Sequence, residues 1–274
     1  QKKYLFLGDL IDRGNNSCEV IILIYALKYL YNDCVYIIRG NHEFIDMTSN
    51  YGFRDECYRR VIEIKGDKVF NKGDEFYKQV IKTFKHLPIC AIVNKKIFCV
   101  HGGISALIEN REELLKLKKV GYQYCSDDSV QVEFLWNDPD NQIETYERSP
   151  RGMGCIFGET ALSDFLENME FDLVIRGHQN EREGYYWPFG ENNGLLTVFS
   201  AVDYCGSSNN GAVVVIPYGQ NQEIKICQIE SNINNGINND FNQFIPIPEN
   251  FIKNNFAFLE PCDLIPNLFI GPDL

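Results

Sequence analysis

The stretch Tyr4-Leu5-Phe6-Leu7-Gly8-Asp9 sets the architecture, because an apolar run typical of a β-strand stops abruptly at a glycine and a potential metal ligand. The same design recurs four times: Val35–Ile38 before Arg39-Gly40-Asn41-His42-Glu43, Ile97–Val100 before His101-Gly102-Gly103, Leu173–Ile175 before Arg176-Gly177-His178, and Leu195–Phe199 before Ser200–Cys205. In a layered α/β protein, ligands gather at the carboxyl ends of strands. The pattern therefore predicts one polar crevice.

The first two runs enclose a segment that predicts a βαβ unit. Residues Cys18 to Leu30 are nearly apolar on all sides, so we expect a helix buried between layers, with Asn16 and Glu19 as its capping pair. Such a helix suits a central β-sandwich with helices packed outside. Further helices are predicted at Gly52–Ile64, Glu75–Phe84 and Glu159–Asn168, and late strands at Ala212–Ile216 and Glu223–Ile229, joined by a turn at Gly219-Gln220-Asn221.

Composition bounds the class of protein. The chain has 274 residues, 45% of them hydrophobic, enough for one large domain, which we place at residues 1–230. Residues 231–274 are rich in asparagine and proline and predict a C-terminal tail. The net charge of -12 argues against a general nucleic-acid partner. No apolar stretch is long enough to predict a membrane span.

The ten cysteines lie mostly singly in apolar runs, without a C-x-x-C pair. We expect reduced core thiols rather than a disulfide framework or a thiolate zinc site. Reduced thiols favour the cytosol, or the nucleus, as the compartment.

Four side chains at the strand ends carry metal-binding chemistry. Asp9, Asn41, His101 and His178 offer oxygen and nitrogen ligands that suit Mn, Fe or Zn better than Ca or Cu. A lone histidine beside glycines is often an ordinary turn residue, but three histidine-bearing clusters at convergent strand ends favour a site.

These motifs carry a family resemblance. Gly8-Asp9-Leu10-Ile11-Asp12-Arg13-Gly14, Arg39–Glu43 and His101-Gly102-Gly103 resemble the signatures of the PPP serine/threonine phosphatases, within the calcineurin-like metallophosphoesterases. The likeness continues through Tyr51–Cys57, Leu135–Pro139, Ser149–Gly152 and Arg176–Gln179 and covers residues 1 to 230. Ser149–Gly152 and Gly184–Trp187 are most similar to the type-2A group.

The resemblance implies the metal mechanism of that family. Asp9 would bridge two divalent metal ions, with Asn41, His101 and His178 completing one site, and the metals would share the attacking hydroxide. His42 would act as general acid on the leaving seryl or threonyl oxygen, oriented by Asp12.

The resemblance also implies a phosphate clamp. It assigns Arg13 and Arg151 to the phosphoryl oxygens, with contacts from Asn41 and the Tyr204 hydroxyl. Arg39 and Arg176 are expected to be ion-paired or to support neighbours, and Glu43 to orient a neighbour. Val202-Asp203 stands where the family has Pro-Asn, and we expect the extra carboxylate to disturb Tyr204 or to weaken anion binding.

The family pattern begins with a Gly-Asp-x-His-Gly motif on a strand before Tyr4, and this sequence does not contain it. We therefore expect the natural protein to carry that first strand and motif upstream. The present chain would then complete only one metal site, through Asp9, Asn41, His101 and His178, and be weakly active or inactive alone.

Three functions stay open at this point. The sequence favours a protein-serine/threonine phosphatase with phosphoprotein substrates and regulatory or scaffold subunits. A metallophosphoesterase for small phosphoesters is one alternative, which the Tyr51–Cys57 stretch and the Arg13 and Arg151 pair disfavour. An inactive scaffold is the other. Retention of His42, Asp12 and Arg151 argues against it for the natural protein, whereas the missing first motif favours it for this chain.

Overall fold

The computed structural model describes residues 2–65, 70–117, 121, 129–191, 193–217 and 224–231. The strands are β1 (Tyr4–Phe6), β2 (Val35–Ile37), β3 (Cys90–Val93), β4 (Ile97–Val100), β5 (Asp138–Pro139), β6 (Tyr146–Arg148), β7 (Cys155–Phe157), β8 (Leu173–Arg176), β9 (Tyr185–Tyr186), β10 (Leu195–Val198), β11 (Gly211–Val215) and β12 (Lys225–Ile229). The helices are α1 (Ser17–Leu30), α2 (Ile45–Asn50), α3 (Phe53–Lys65), α4 (Phe70–Phe84), α5 (Arg111–Leu115), α6 (Val130–Trp136) and α7 (Glu159–Met169), with a short 3-10 helix at Tyr204–Gly206. The predicted strands and helices are confirmed; the 219–221 turn and residues 232–274 lie outside the described residues.

Two sheets carry the predicted site. The strands β1 and β2 pair in parallel around α1, which confirms the βαβ unit. The larger sheet has the order β3-β4-β8-β10-β9, in which β4, β8 and β10 are parallel. The strands β11 and β12 form an antiparallel pair, and β5, β7 and β6 form a separate small sheet. Parallel neighbours end at the same edge, so their following loops meet there.

Alternation along β4 shows how the layers form. Ile97 and Cys99 pack with Ile175 and Leu196 in a cluster that also receives Leu5 from β1 and Ile226 from β12. This cluster is the core between the sheets. The intervening Phe98 and Val100 point the other way, into a cluster with side chains of α6 and α7. Because side chains alternate along a strand, one strand serves two layers.

A third cluster joins α1, α3 and α4 to β2, and includes Ile21, Phe53 and Phe84. Helices therefore cover both outer faces, and the predicted mixed α/β fold with a central sandwich is confirmed. Among the described residues, no helix is both long and apolar enough to cross a bilayer.

The predicted environment of α1 is wrong. One side packs on α3 and α4, but Val20, Leu23 and Leu30 on the other side are 39%, 40% and 43% exposed. An apolar composition on all sides does not require burial on all sides, since a helix has contacts only where another element lies against it.

The predicted capping of α1 is also wrong. The Asn16 side chain makes no cap hydrogen bond and instead accepts from Arg60 Nη2 at 2.9 Å. The carboxylate of Glu56 on α3 accepts from the backbone N–H groups of Ser17 and Cys18, at 3.1 and 2.8 Å. A negative charge from a packed neighbour thus satisfies the orphan donors at the start of α1.

The cysteines of the described residues are free thiols, as predicted. Four are buried: Cys18, Cys34, Cys57 and Cys99.

Candidate metal centre and phosphate site

The ends of four strands meet at one point. Asp9 follows β1, Asn41 follows β2, His101 follows β4, and His178 follows β8. One ligand atom from each of Asp9, His101 and His178 lies within 4.8 Å of the others. The structure therefore brings together the four side chains that the strand endings predict.

The first two loops approach closely because both contain glycine. A Cβ on Gly8 would overlap the backbone of Gly40, and a Cβ on Gly40 would overlap the Asp9 carboxylate. Gly8 also has a φ of 92°, in the region that glycine adopts without strain. The two glycines thus let Asp9 reach the Asn41 loop.

The hydrogen bonds of His101 indicate a cation site. Its Nδ1 lies 2.8 Å from the Leu7 carbonyl oxygen, which can only accept, so Nδ1 carries the hydrogen. Its Nε2 faces Asp9 Oδ2 at 3.2 Å and Asn41 Oδ1 at 3.0 Å. Without a proton on Nε2, the ring would direct a lone pair at the Asp9 carboxylate, so this contact requires a proton or a metal ion between the two atoms.

Asn41 fits the same reading. It is buried, and its oxygen lies 3.0 Å from His101 Nε2 and 3.1 Å from His178 Nδ1. Rotating the amide would direct its NH₂ group at both rings and satisfy them without a metal. With the oxygen inward, the cluster consists of acceptors and fits a divalent cation.

His178 is held in the neutral form that ligates metals. Burial, reinforced by the charges of His101 and Arg176, lowers its pKa well below the ordinary value. Its φ of 67° is left-handed, and its ring packs edge-on against His101 with centroids 5.1 Å apart.

Asp9 is the anionic member of the cluster. Burial by itself raises the pKa of Asp9, but the neighbouring charges of His101 and His42 outweigh burial and hold that pKa well below its ordinary value. The carboxylate is therefore ionised at neutral pH and available to a cation.

His42 and Asp12 form a pair beside the cluster. His42 Nδ1 lies 2.8 Å from Asp12 Oδ2, while Asp12 Oδ1 accepts from the Phe53 N–H at 2.9 Å. Burial lowers the pKa of His42, but the Asp9 and Asp12 carboxylates outweigh burial and raise it above the ordinary value. The His42 N–H also donates to Asp9 Oδ1 at 3.0 Å. The imidazole is thus oriented next to the candidate metal ligands, in surroundings that favour its protonated form.

Arg13 and Tyr204 lie on one side of the cluster. The Arg13 guanidinium lies over the Tyr51 ring, 4.3 Å from its centroid, and the Arg13 N–H donates to the Tyr51 carbonyl at 3.0 Å. Burial raises the pKa of Tyr204, and the charge of Arg13 partly opposes that rise. The exposed Asp203 carboxylate accepts from the Ser208 N–H at 3.1 Å, within its own turn.

Arg151 is linked to a buried ion pair. Its Nε lies 2.5 Å from Asp138 Oδ2, and Asp138 Oδ1 accepts from Arg176 Nη2 at 2.7 Å. Arg176 is fully buried and also donates to the Gly102 carbonyl oxygen. Arg176 is thus ion-paired, as predicted.

Sequence reasoning gave Asp138 no role, although it stands in the quoted Leu135–Pro139 motif. It also understated Glu43, whose carboxylate receives three backbone N–H groups. The sequence near Asp138 or Glu43 does not predict these hydrogen bonds, because most of their partners lie more than ten residues away.

Comparisons with known proteins identify the family of the chain. The model of the calcineurin-like phosphoesterase family matches residues 1–182. The chain is similar to a protein serine/threonine phosphatase from Saccharomyces cerevisiae, itself described as similar to human phosphatase PP5. That likeness has a TM-score of 0.67 and 29% identity, over 83% of this chain and 70% of the other.

A cold-active protein tyrosine phosphatase matches with a TM-score of 0.48 and 18% identity, over 75% of this chain and 61% of the other. This second likeness is too distant to bear on function.

Proposed function

The chain belongs to the calcineurin-like phosphoesterase family, and from this premise we propose that it hydrolyses phosphoserine and phosphothreonine in proteins. The observation that carries the proposal is the joint placement of the Asp9, Asn41, His101 and His178 cluster with the His42–Asp12 pair. Similarity to a serine/threonine phosphatase supports the protein substrate.

The family implies divalent metal ions, and we propose that the site binds two metal ions, each of them Mn, Fe or Zn. Asp9, Asn41, His101 and His178 would hold one ion, and Asp9 would share its carboxylate with the second. Bound divalent cations lower the pKa of water and neutralise charge on phosphoryl oxygens. The residues of the chain then position the phosphate and move the proton.

His42 serves as the general acid in this proposal. The bond from Nδ1 to Asp12 fixes the ring, so Nε2 is the nitrogen that donates to the leaving oxygen. The raised pKa favours the protonated form of His42, which is the form that a general acid needs before it acts.

Arg13 and Arg151 would bind the phosphate, with Tyr204 and Asn41 adding hydrogen bonds. Arg151 is anchored through Nε to Asp138, which leaves the two terminal nitrogens of its guanidinium for a bidentate contact. Its side chain is 39% exposed and so remains accessible to substrate.

The wider setting is also proposed. We expect phosphoprotein substrates, regulatory or scaffold subunits, membership of the type-2A group and a cytosolic or nuclear location. Residues 1–230 would be the catalytic domain and 231–274 a tail.

Parallel assays of the purified chain with Mn²⁺ test the function. We expect the chain to hydrolyse a phosphoserine peptide slowly, but still faster than a dinucleotide polyphosphate. His42→Asn should lower kcat on the peptide by about 10²–10⁴-fold. The loss should be much smaller on p-nitrophenyl phosphate, whose leaving group needs no proton.

Two results would contradict the proposal. Turnover of the dinucleotide alone would make the protein a small-molecule phosphoesterase. Mn²⁺ binding with no turnover of any substrate would favour the inactive scaffold.

A further inference from the structure

We propose that Glu43 is a positioning residue, whose buried carboxylate sets the spacing between the loop bearing Asp9 and the loop bearing Asn41 and thereby controls metal affinity. This inference rests on the proposed metal site. The hydrogen bonds of the Glu43 carboxylate go to backbone N–H groups, so it would act on the ligands through their loops.

One carboxylate joins both loops. Glu43 Oε2 accepts from the N–H of Asp9 at 2.9 Å and from the N–H of Gly40 at 2.7 Å, one donor from each loop. Its Oε1 accepts from the N–H of Leu10 at 2.8 Å. A shared oxygen fixes the separation of its two donors, so Asp9 is placed relative to the residue before Asn41.

The two loops are also joined by the His42 N–H, which donates to Asp9 Oδ1 at 3.0 Å, but this bond reaches the Asp9 side chain and not its backbone. They meet through Gly8 and Gly40, which have no side chains to interlock. Asp9 has a φ of 53°, a left-handed conformation that costs free energy in a non-glycine residue. The Glu43 bonds to the N–H groups of Asp9 and Leu10 hold the backbone in that conformation.

Glu43 is itself fixed from behind. Arg39 donates to the Glu43 carbonyl oxygen from Nε at 3.0 Å and from Nη2 at 2.7 Å. Arg39 also lies over the Phe44 ring, 3.7 Å from its centroid, and both Arg39 and Glu43 are fully buried. The Glu43 side chain is therefore held in place and is not a flexible surface group.

Glutamine at position 43 cannot reproduce these three hydrogen bonds. A carboxylate has two accepting oxygens, whereas an amide has one oxygen and an NH₂ group that only donates. In Glu43→Gln, at least one of the three backbone N–H groups would face another donor. The Asp9 loop would then shift or rotate relative to Asn41.

Glu56 offers a matched control. It is also a buried glutamate, 4% exposed, and its carboxylate accepts from two backbone N–H groups, those of Ser17 and Cys18. These donors lie at the start of α1, outside the metal cluster. Glu56→Gln therefore disrupts the same chemistry without touching the metal ligands.

Mn²⁺ titration calorimetry on the full chain and both variants tests the proposal. Mutating groups that orient metal ligands typically lowers metal affinity about 10–100-fold, and we expect that loss for Glu43→Gln. We expect less than about a twofold change for Glu56→Gln. Raising the Mn²⁺ concentration should restore kcat in Glu43→Gln, but not in His42→Asn, which lacks the acid.

Hydrogen exchange of the metal-free proteins gives an independent readout. The amides of Asp9, Leu10 and Gly40 should exchange faster in Glu43→Gln, and those of Ser17 and Cys18 in Glu56→Gln. If Glu43→Gln does not fold, Glu43→Asp keeps the charge with a shorter reach and is judged by the same criteria.

Wild-type Mn²⁺ affinity in a folded Glu43 variant would overturn the proposal, as would equal losses in both glutamate variants. Failure of the wild-type chain to bind Mn²⁺ would instead overturn the proposed metal site. In that case, unchanged amide hydrogen exchange at Asp9, Leu10 and Gly40 in Glu43→Gln would separately refute the proposal that Glu43 holds the two loops together.

Discussion

Replacing Asp138 by asparagine should cost the protein much of its stability. Asp138 lies between two arginines, with Oδ1 2.7 Å from Arg176 Nη2 and Oδ2 2.5 Å from Arg151 Nε. Arg176 is 0% exposed, and its guanidinium cannot lose its charge at accessible pH. The substitution removes the carboxylate that neutralises this buried cation.

The magnitude follows from burial. Removing one partner of a buried ion pair typically costs about 3–5 kcal/mol. Arg176 would keep acceptors at the carbonyl oxygens of Gly102 and Asn137 and at Gln179 Oε1, so we expect the lower end, about 3 kcal/mol. The Arg151 contact adds little, because its side chain is 39% exposed and solvent screens the interaction.

Urea unfolding at neutral pH, followed by circular dichroism, measures this loss. Asp172→Asn is the control: Asp172 pairs with Lys96 at 3.3 Å, but the two side chains are 69% and 54% exposed. Its loss should stay below about 1 kcal/mol. If Asp138→Asn lost no more than Asp172→Asn, the claim that Asp138 neutralises a buried charge would be refuted.

Three further outcomes are expected. Asp12→Asn removes a carboxylate that raises the pKa of His42, so the pKa of His42 should fall. The decrease in kcat at alkaline pH should then begin at a lower pH than in the wild-type chain. An unchanged pH profile would exclude His42 as the general acid. Gly40→Ala places a Cβ against the Asp9 carboxylate, so the variant should lose Mn²⁺ binding in calorimetry while its circular dichroism spectrum stays normal. Retained Mn²⁺ affinity would show that the two loops can move apart without affecting the metal site. Leu23→Gln with Leu30→Gln should change the free energy of unfolding in urea by no more than about 0.5 kcal/mol per site, because both side chains are exposed. A larger destabilisation would mean that this face of α1 is packed.

Sequence reasoning succeeded where the signal is local. Each candidate metal ligand directly follows an apolar strand, and strand order in the sheet makes those ends converge. The βαβ unit and most helices were predictable for the same reason, since hydrophobic period and length act within one segment.

It failed where the partner is distant in sequence. Glu56 lies 38 residues from Cys18, and its carboxylate accepts a hydrogen bond from the Cys18 N–H. It thus takes the place of Asn16 and Glu19, which the spacing predicted as the capping pair of α1. The open face of α1 is equally invisible in sequence, because exposure depends on which element lies against a helix and not on the composition of that helix.

The candidate metal centre depends on the sandwich as a whole. Asp9 and Asn41 come from the sheet of β1 and β2, whereas His101 and His178 come from the sheet that contains β4 and β8. His101 connects the two directly, since Nδ1 donates to the Leu7 carbonyl after β1 and Nε2 faces Asp9. Neither sheet alone holds the full ligand set, so packing of the apolar core between the sheets is a condition for binding a metal. Each motif can therefore be recognised in isolation, but its chemistry exists only once both sheets have packed together.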